Sequence, residues 1–200
     1  REPGPMSEKA AREFRPLTSE CWNDLEALFG SRGACGGCWC MWWRLGNAEF
    51  ERNKGEANKK LLRGLVEQGQ AVGMLAYESG KAVGWCSVAP RDDFPRLDRS
   101  RTMKRLDTKP VWSLVCLFID KNHRRKGLSS ELVRAASAFA AQCGAEIVEA
   151  YPRVLREGKS PDVFIYTGLP QIFEKAGFHT VAEPTGSRWI MRLDTAGRGN

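Results

Sequence analysis

One stretch decides the fold of this chain: Val115-Cys116-Leu117-Phe118-Ile119, then Asp120-Lys121-Asn122-His123, then Arg124-Arg125-Lys126-Gly127-Leu128-Ser129. Its first five residues are apolar, as in a strand that is covered on both faces. Its end opens a segment, residues 128–143, whose apolar residues recur at helical spacing. A helix start presents unpaired N–H groups and a partial positive charge. The stretch therefore predicts a strand, a turn rich in cations and a helix start that binds a phosphate.

The flanking segments alternate between strand-like and helical patterns. Helices are predicted at residues 18–30, 58–68, 128–143 and 169–176, and strands at 14–17, 71–77, 82–89, 111–119, 146–151, 180–183 and 188–193. The central strand–helix–strand crossover should make its two strands parallel neighbours. Residues 90–109 carry prolines and charges without periodicity, which predicts a long functional loop.

Length and composition predict one soluble domain. The 200 residues are 42% hydrophobic and 28% charged, enough for one core, with no run that could span a membrane. We predict a single domain at 13–195 between tails at 1–12 and 196–200. The first fifteen residues contain no apolar run, so no secretory signal is expected. Together with an odd number of cysteines, seven, this favours a cytoplasmic location.

The net charge of +7 indicates an anionic partner, which a nucleic acid or a phosphorylated cofactor would satisfy. Basic and aromatic residues do not interleave on one predicted surface, and no DNA- or RNA-binding motif is present. A basic nucleic-acid-binding module is therefore the less favoured alternative.

Two motifs resemble those of the GNAT N-acetyltransferase superfamily. Arg124-x-x-Gly127-x-Ser129 is similar to the family's (Arg/Gln)-x-x-Gly-x-(Gly/Ala) phosphate-binding signature, with the small Ser129 in place of Gly or Ala. Residues 173–178, FEKAGF, are similar to its Tyr-x-x-x-Gly-Phe element. Here Phe173 replaces a tyrosine that is thought to protonate the departing thiolate. The order of the predicted elements fits the family throughout.

The resemblance implies an α/β fold with a mixed, mainly antiparallel central sheet, a splayed parallel strand pair and helices on both faces. It implies transfer of an acetyl group from acetyl-CoA to a primary amine, by direct attack in a ternary complex. The acceptor would be a small molecule or a protein, and a homodimer stays open. A catalytically weak acyl-CoA sensor is the alternative. Cofactor contacts are carried over to Leu117, Phe118, Ile119, Arg124, Arg125, Lys126, Gly127, Leu128, Ser129, Ser130 and Phe173.

The catalytic candidates are tyrosines and carboxylates beside the implied gap. Acyl transfer needs a neutral amine, donors for the oxyanion and a proton for the thiolate. The family's oxyanion donor is a backbone N–H of the strand 115–119. Because Phe173 has no hydroxyl, Tyr166 and Tyr151 are the candidate acids. Glu149 is the candidate base, and Glu78 was the other strand carboxylate considered.

Two further clusters lie before residue 44. Cys35-x-x-Cys38-x-Cys40 lacks a fourth ligand nearby, so no metal is predicted. Trp39, Trp42 and Trp43 are spaced as on one face of a helix. They would either pack in the core or, through Trp39 and Trp42, form an aromatic wall of the acceptor site.

Overall fold

The chain is described here by a computed structural model that covers residues 11–155 and 166–196. Its strands are β1 Arg12–Pro16, β2 Gly73–Glu78, β3 Lys81–Pro90, β4 Trp112–Ile119, β5 Ile147–Ala150, β6 His179–Thr185 and β7 Arg188–Asp194. Its α-helices are α1 Trp22–Phe29, α2 Asn47–Asn53, α3 Glu56–Glu67, α4 Pro95–Arg99, α5 Leu128–Gln142 and α6 Pro170–Lys175. None of the helices in these ranges is both long and apolar enough to cross a membrane.

The strands form one sheet in the order β1-β2-β3-β4-β5-β7-β6. Every neighbouring pair is antiparallel except β4 and β5, which are parallel. Apolar residues of α5 and α6 pack on one face of the sheet, and those of α1, α3 and the turns between them pack on the other. The predicted mixed, mainly antiparallel sheet with helices on both faces is confirmed.

The parallel pair separates along its length. β5 pairs with β4 from Trp112↔Val148 to Leu114↔Ala150. From there to Ile119, β4 is paired with β3 but no longer with β5. On its other side, β4 has a bulge opposite Ser87 and Val88 that leaves Val115 as the extra residue. Bulges bend a strand and increase its twist. The second half of β4 therefore keeps one edge that β5 does not cover, which is the predicted splay.

The segment between α1 and α3 differs from the prediction. Residues 38–45 form successive turns, and Trp39 and Cys40 have φ angles of 44° and 54°, which no helix permits. The common helical face proposed for Trp39, Trp42 and Trp43 is therefore wrong. The preceding glycine loop packs tightly against the start of α3, since a Cβ on Gly37 would lie 2.4 Å from the backbone nitrogen of Gly55. This packing contributes to the non-helical path of the segment.

Two segments contain elements that were not predicted. α2 follows these turns, and residues 90–109 contain a 3-10 turn, Arg91–Asp93, and the short helix α4. Both segments are rich in charge and have no amphipathic repeat long enough to detect. In α3, the buried face is centred on Leu62 and Val66, and Leu61 is 39% exposed.

Candidate active site

The turn after β4 is closed by its own side chains. A carboxylate oxygen of Asp120 accepts the N–H of Asn122 at 3.0 Å and lies 2.9 Å from Nδ1 of His123. Nε of Arg124 then donates to the carbonyl oxygen of Ile119 at 3.0 Å. These bonds turn the chain back so that α5 begins beside the end of β4.

The start of α5 has the features of an anion site. Gly127 adopts the left-handed conformation (φ 78°), and no side chain caps the helix. A Cβ on Gly127 would meet no atom within 4 Å, so the approach to the first helical amides is open. Arg124, Arg125 and Lys126 are exposed, whereas Leu128 and Ser130 are buried and Ser129 is half-buried. The predicted phosphate-binding residues thus come together, with the cations outside and the helix start anchored in the core.

A buried arginine beneath this loop was missed by the sequence reasoning. Arg12, the last residue of the predicted tail, lies in β1 with its side chain 6% exposed. Its guanidinium donates to the carbonyl oxygen of Lys126 at 3.1 Å and pairs with Glu131 at 3.0 Å. It holds the loop and the first turn of α5 together and adds positive charge there. Because 114 residues separate Arg12 from Lys126, no local pattern could have indicated this contact.

The free edge of β4 is met by the segment that precedes α6. The N–H of Leu117 donates to the carbonyl oxygen of Tyr166 at 2.6 Å. Gly168 (φ 80°) passes so close that an added Cβ would lie 2.7 Å from the Phe173 ring and 3.2 Å from Leu117. Phe173 is fully buried and packs on Phe178, with their ring centroids 5.4 Å apart. The structure therefore brings Leu117, Tyr166 and Phe173 together at the splay.

The side chain of Tyr166 brings a phenol to the region of the splay, which is called the opening below. It is 42% exposed, its ring centroid is 6.4 Å from that of Trp43, and its hydroxyl has no hydrogen-bond partner in the described ranges. Burial raises the pKa of Tyr166, and nearby Arg188 acts in the opposite direction. The phenol therefore stays protonated at neutral pH and can donate a proton.

Tyr151 and Glu149 lie in a buried polar network instead. The hydroxyl of Tyr151 donates to Glu149 at 2.7 Å and accepts from Arg91 at 2.7 Å, and Ser113 Oγ lies 2.7 Å away. The second carboxylate oxygen of Glu149 accepts from Nε of Arg192 at 2.7 Å. Burial raises the pKa of Tyr151.

This placement does not suit the roles predicted for the two residues. Tyr151 and Glu149 are 0% and 1% exposed, so neither can reach a substrate in the gap. Both carboxylate oxygens of Glu149 are also already paired with arginines, Arg91 at 3.3 Å and Arg192 at 2.7 Å. Glu78, the other carboxylate considered, lies 3.7 Å from His123, beside the phosphate loop rather than at the splay.

The three tryptophans face different surroundings. Trp39 is buried against Trp22 and Phe29, at centroid distances of 6.2 Å and 5.5 Å. Trp42 is half-buried, and the guanidinium of Arg96 lies 3.7 Å from its ring centroid. Trp39 is thus a core residue, while Trp42 and Trp43, which touches Tyr166, lie on the side of the opening.

The cysteines pack as apolar thiols. Cys40 accepts a hydrogen bond from Trp85 Nε1 at 2.9 Å and lies 3.8 Å from the sulfur of Cys116. Burial raises the pKa of Cys38 to about 12. Within residues 11–155 and 166–196, no group of three His, Cys, Asp or Glu side chains is placed to hold a metal ion.

Comparison with known proteins gives a consistent result. The model of the acetyltransferase (GNAT) family matches residues 39–156. Among curated proteins, none matches this sequence. A GNAT-family acetyltransferase of Listeria monocytogenes 4b F2365 is similar in structure, with a TM-score of 0.56 at 11% identity over 93% of this chain and 98% of that one.

Two further solved structures share the fold. An N-acetyltransferase of Staphylococcus aureus Mu50 gives a TM-score of 0.53 at 11% identity over 92% of this chain and 99% of that one. The PaiA N-acetyltransferase of Thermoplasma acidophilum, solved in complex with coenzyme A, gives 0.50 at 16% identity over the same shares.

Proposed function

The chain belongs to the acetyltransferase (GNAT) family, whose model covers more than half of it, and on this basis we propose that it transfers an acetyl group from acetyl-CoA to a primary amine. One observation carries the proposal: the open, glycine-led start of α5 directly follows the strand whose edge β5 leaves uncovered. A phosphate site and a strand edge in this order suit a nucleotide with a peptide-like arm.

The residues that would hold the cosubstrate follow from this geometry. The pyrophosphate would meet the first amides of α5 and the cations Arg124, Arg125 and Lys126. The pantetheine arm would lie along β4 at Leu117 and Ile119. The N–H of Leu117 is bonded to the carbonyl oxygen of Tyr166, and the carbonyl oxygen of Ile119 accepts from Arg124. These two hydrogen bonds would open when the arm binds.

The reaction we propose is direct attack in a ternary complex. The amine nitrogen bonds to the thioester carbonyl carbon, the carbon–sulfur bond breaks, and the electron pair leaves with sulfur. Once its bond to the carbonyl oxygen of Tyr166 has opened, the N–H of Leu117 stabilises the charge that develops on the thioester carbonyl oxygen. The phenol of Tyr166 gives its proton to the thiolate, and the proton of the amine leaves to water, since Glu149 is enclosed.

A catalytically weak acyl-CoA sensor is the second candidate, and Phe173 favours it. Its fully buried ring brings no hydroxyl to the splay. The two candidates differ in one measurement, because a sensor would bind acetyl-CoA without releasing CoA thiol in the presence of amines.

We also propose that the protein acts in the cytoplasm. All seven cysteines are free thiols, as a reducing compartment would keep them.

The experiment that tests the proposed function compares two glycines at the ends of one helix. Gly127 precedes α5 and Gly144 follows it. Both have positive φ, 78° and 93°, and at neither would an added Cβ meet an atom within 4 Å. Gly127→Glu and Gly144→Glu therefore bring similar backbone strain, but only the first puts a carboxylate in the phosphate site.

We expect acetyl-CoA to raise the melting temperature of the wild type and of Gly144→Glu by mass action. Gly127→Glu should lose this shift and the release of CoA thiol with a panel of amines. If Gly127→Glu binds acetyl-CoA like the wild type, or if millimolar acetyl-CoA stabilises none of the folded proteins, the proposal is wrong.

A further inference from the structure

Arginines at the opening differ from the other buried arginines of the molecule. Arg12, Arg44, Arg91 and Arg192 each form an ion pair with a carboxylate: Glu131, Asp93, Glu149 and Asp107 respectively. Such pairing is the rule, because an uncompensated charge away from water is costly.

The arginines near Tyr166 have no such partner. Arg188, half-buried, donates only to neutral oxygens, the carbonyl of Tyr151 at 2.7 Å and the hydroxyl of Thr167 at 2.9 Å. Arg153 is its strand neighbour, so a second cation is adjacent. Neither arginine forms an ion pair with a carboxylate of residues 11–155 or 166–196.

Arg96, whose backbone N–H bonds to the carbonyl oxygen of Trp43, the neighbour of Tyr166, also lacks a carboxylate partner in the described residues. Its guanidinium lies over Trp42 and donates to the carbonyl of Leu45 and to Asn47, both uncharged. Its Nη2 atom is buried without a hydrogen-bond partner, as is Nε1 of Trp43, the ring that contacts Tyr166. Two donors in this wall thus lack an acceptor in the described part of the chain.

Electrostatics supports the proximity of these groups. Burial, and then Arg153, lower the pKa of Arg188, while Tyr166 raises it. Burial, and then Arg99, lower the pKa of Arg96, which Tyr166 also raises. Arg188 and Arg96 are thus partly desolvated, each is repelled by a neighbouring arginine, and neither is neutralised by a carboxylate of the described residues.

Building on the proposed function, we propose that the acceptor is an amine that also carries a carboxylate, such as an amino acid, and that Arg188 and Arg96, the arginines near Tyr166, bind this carboxylate. A carboxylate accepts two parallel hydrogen bonds from a guanidinium fork, which neutral or cationic groups cannot do. Polyamines and other polycationic amines would be repelled by the same three arginines.

The test uses pairs of acceptors that differ only in the carboxylate: the common amino acids and their amides, with spermidine as a polycation. Release of CoA thiol gives kcat/KM for each. We expect the best amino acid to exceed its amide by about tenfold or more, mainly through KM, because a charge-assisted fork is lost in the amide. Spermidine should be a poorer substrate than either.

Arg188→Gln should bring the acid-to-amide ratio close to one, chiefly by lowering kcat/KM for the amino acid, and Arg188→Lys should restore part of the preference. Arg134→Gln is the matched control. Arg134 is exposed and likewise donates to a backbone carbonyl, that of Lys175, between α5 and α6. It should keep the wild-type ratio. Circular dichroism checks that each variant is folded.

The outcomes separate the two proposals. Transfer to amides or spermidine at least as fast as to amino acids would keep the acetyltransferase function and overturn the carboxylate site. If no amine is acetylated, the proposed acetyltransferase function is wrong. The carboxylate site is then tested separately, by calorimetric measurement of the binding of N-acetyl amino acids and their amides to the CoA-loaded protein. Tighter binding of the N-acetyl amino acid than of its amide, lost in Arg188→Gln, supports the carboxylate site. Equal binding of the two, or no binding of either, overturns it.

Discussion

The strand pair β4–β5 has a closed half, where the strands are paired, and an open half, where they are apart. The two halves differ in whether their charged side chains have partners of opposite charge. In the closed half, Glu149 and Tyr151 are fully enclosed and bonded to Arg91 and Arg192. In the open half, β5 has ended, Tyr166 is 42% exposed, and neighbouring arginines have no carboxylate partner within residues 11–155 and 166–196. In the closed half, the carboxylate of Glu149 and the hydroxyl of Tyr151 have their partners within the chain, whereas the open half leaves cations that a ligand can pair with.

The difference shows why residue type alone does not assign a catalytic role. Tyr151 and Tyr166 are both tyrosines near one gap, and each was a candidate acid. Tyr151 has its hydrogen bonds made and water excluded, which fits a structural role. Tyr166 is 42% exposed, and its hydroxyl has no hydrogen-bond partner among the described residues, which fits a proton donor. Three substitutions test this division, given from the largest expected effect to the smallest.

Tyr166→Phe should lower kcat by about 10²–10⁴-fold, since a positioned general acid typically contributes that factor. The melting temperature and the affinity for CoA should change little, because the lost hydroxyl has no partner in the described structure. Steady-state kinetics with the best acceptor measures the first quantity, and thermal shift with CoA the second.

The pH dependence provides a second check on Tyr166. Burial raises its pKa, so the phenol keeps its proton to higher pH than an ordinary tyrosine, at about 10. Wild-type kcat should therefore fall only as the pH rises above that value, and Tyr166→Phe should lack this fall. An unchanged kcat in the variant would make Tyr166 a structural residue and remove the division between the halves.

Arg91→Met should destabilise the protein by about 3–5 kcal/mol, because it leaves the buried charge of Glu149 with one partner fewer. Arg91 is 2% exposed and also donates to Tyr151, Asp98 and the carbonyl of Met103. Urea unfolding measures this loss of stability. The urea concentration at the midpoint should fall, while the dependence of the unfolding free energy on urea concentration should stay unchanged. Arg15→Gln, which breaks an exposed pair with Glu13, is the control and should leave the midpoint unchanged. A loss for Arg91→Met as small as that of the control would contradict a closed half.

Tyr151→Phe should cost about 1–3 kcal/mol of stability, since Arg91 and Ser113 each lose a buried partner. Its kcat should stay within about twofold of the wild type at a temperature where both are folded, because Tyr151 does not contact the opening. A drop in kcat as large as that of Tyr166→Phe, with stability intact, would reverse the assignment of the two tyrosines.

Sequence reasoning succeeded where the deciding residues are close together in the chain. The strand, turn and helix start at 115–129 lie within fifteen residues, and the positions of Gly127 and the three cations follow from local rules. The splay came from the family resemblance, and the register of β4 with β5 agrees with it.

It failed where the answer depends on distant partners. Glu149 was placed correctly on a strand, but its enclosure depends on Arg91 and Arg192, 58 and 43 residues away. Arg12 and Arg188 act through contacts across the sheet, and neither has a local signal. Trp39 has helical spacing from Trp42 and Trp43, yet its positive φ reflects packing against α1, which spacing does not report.

The hydrogen bond from Leu117 to Tyr166 has a kinetic consequence if the pantetheine arm uses the same edge. The chain's own carbonyl is then a tethered competitor, present at a high effective concentration. The measured dissociation constant of CoA equals its intrinsic value divided by the fraction of molecules in which this bond is open. If about one molecule in ten is open, the affinity falls about tenfold. Association would also include a unimolecular opening step, so its observed rate should reach a plateau as the CoA concentration rises.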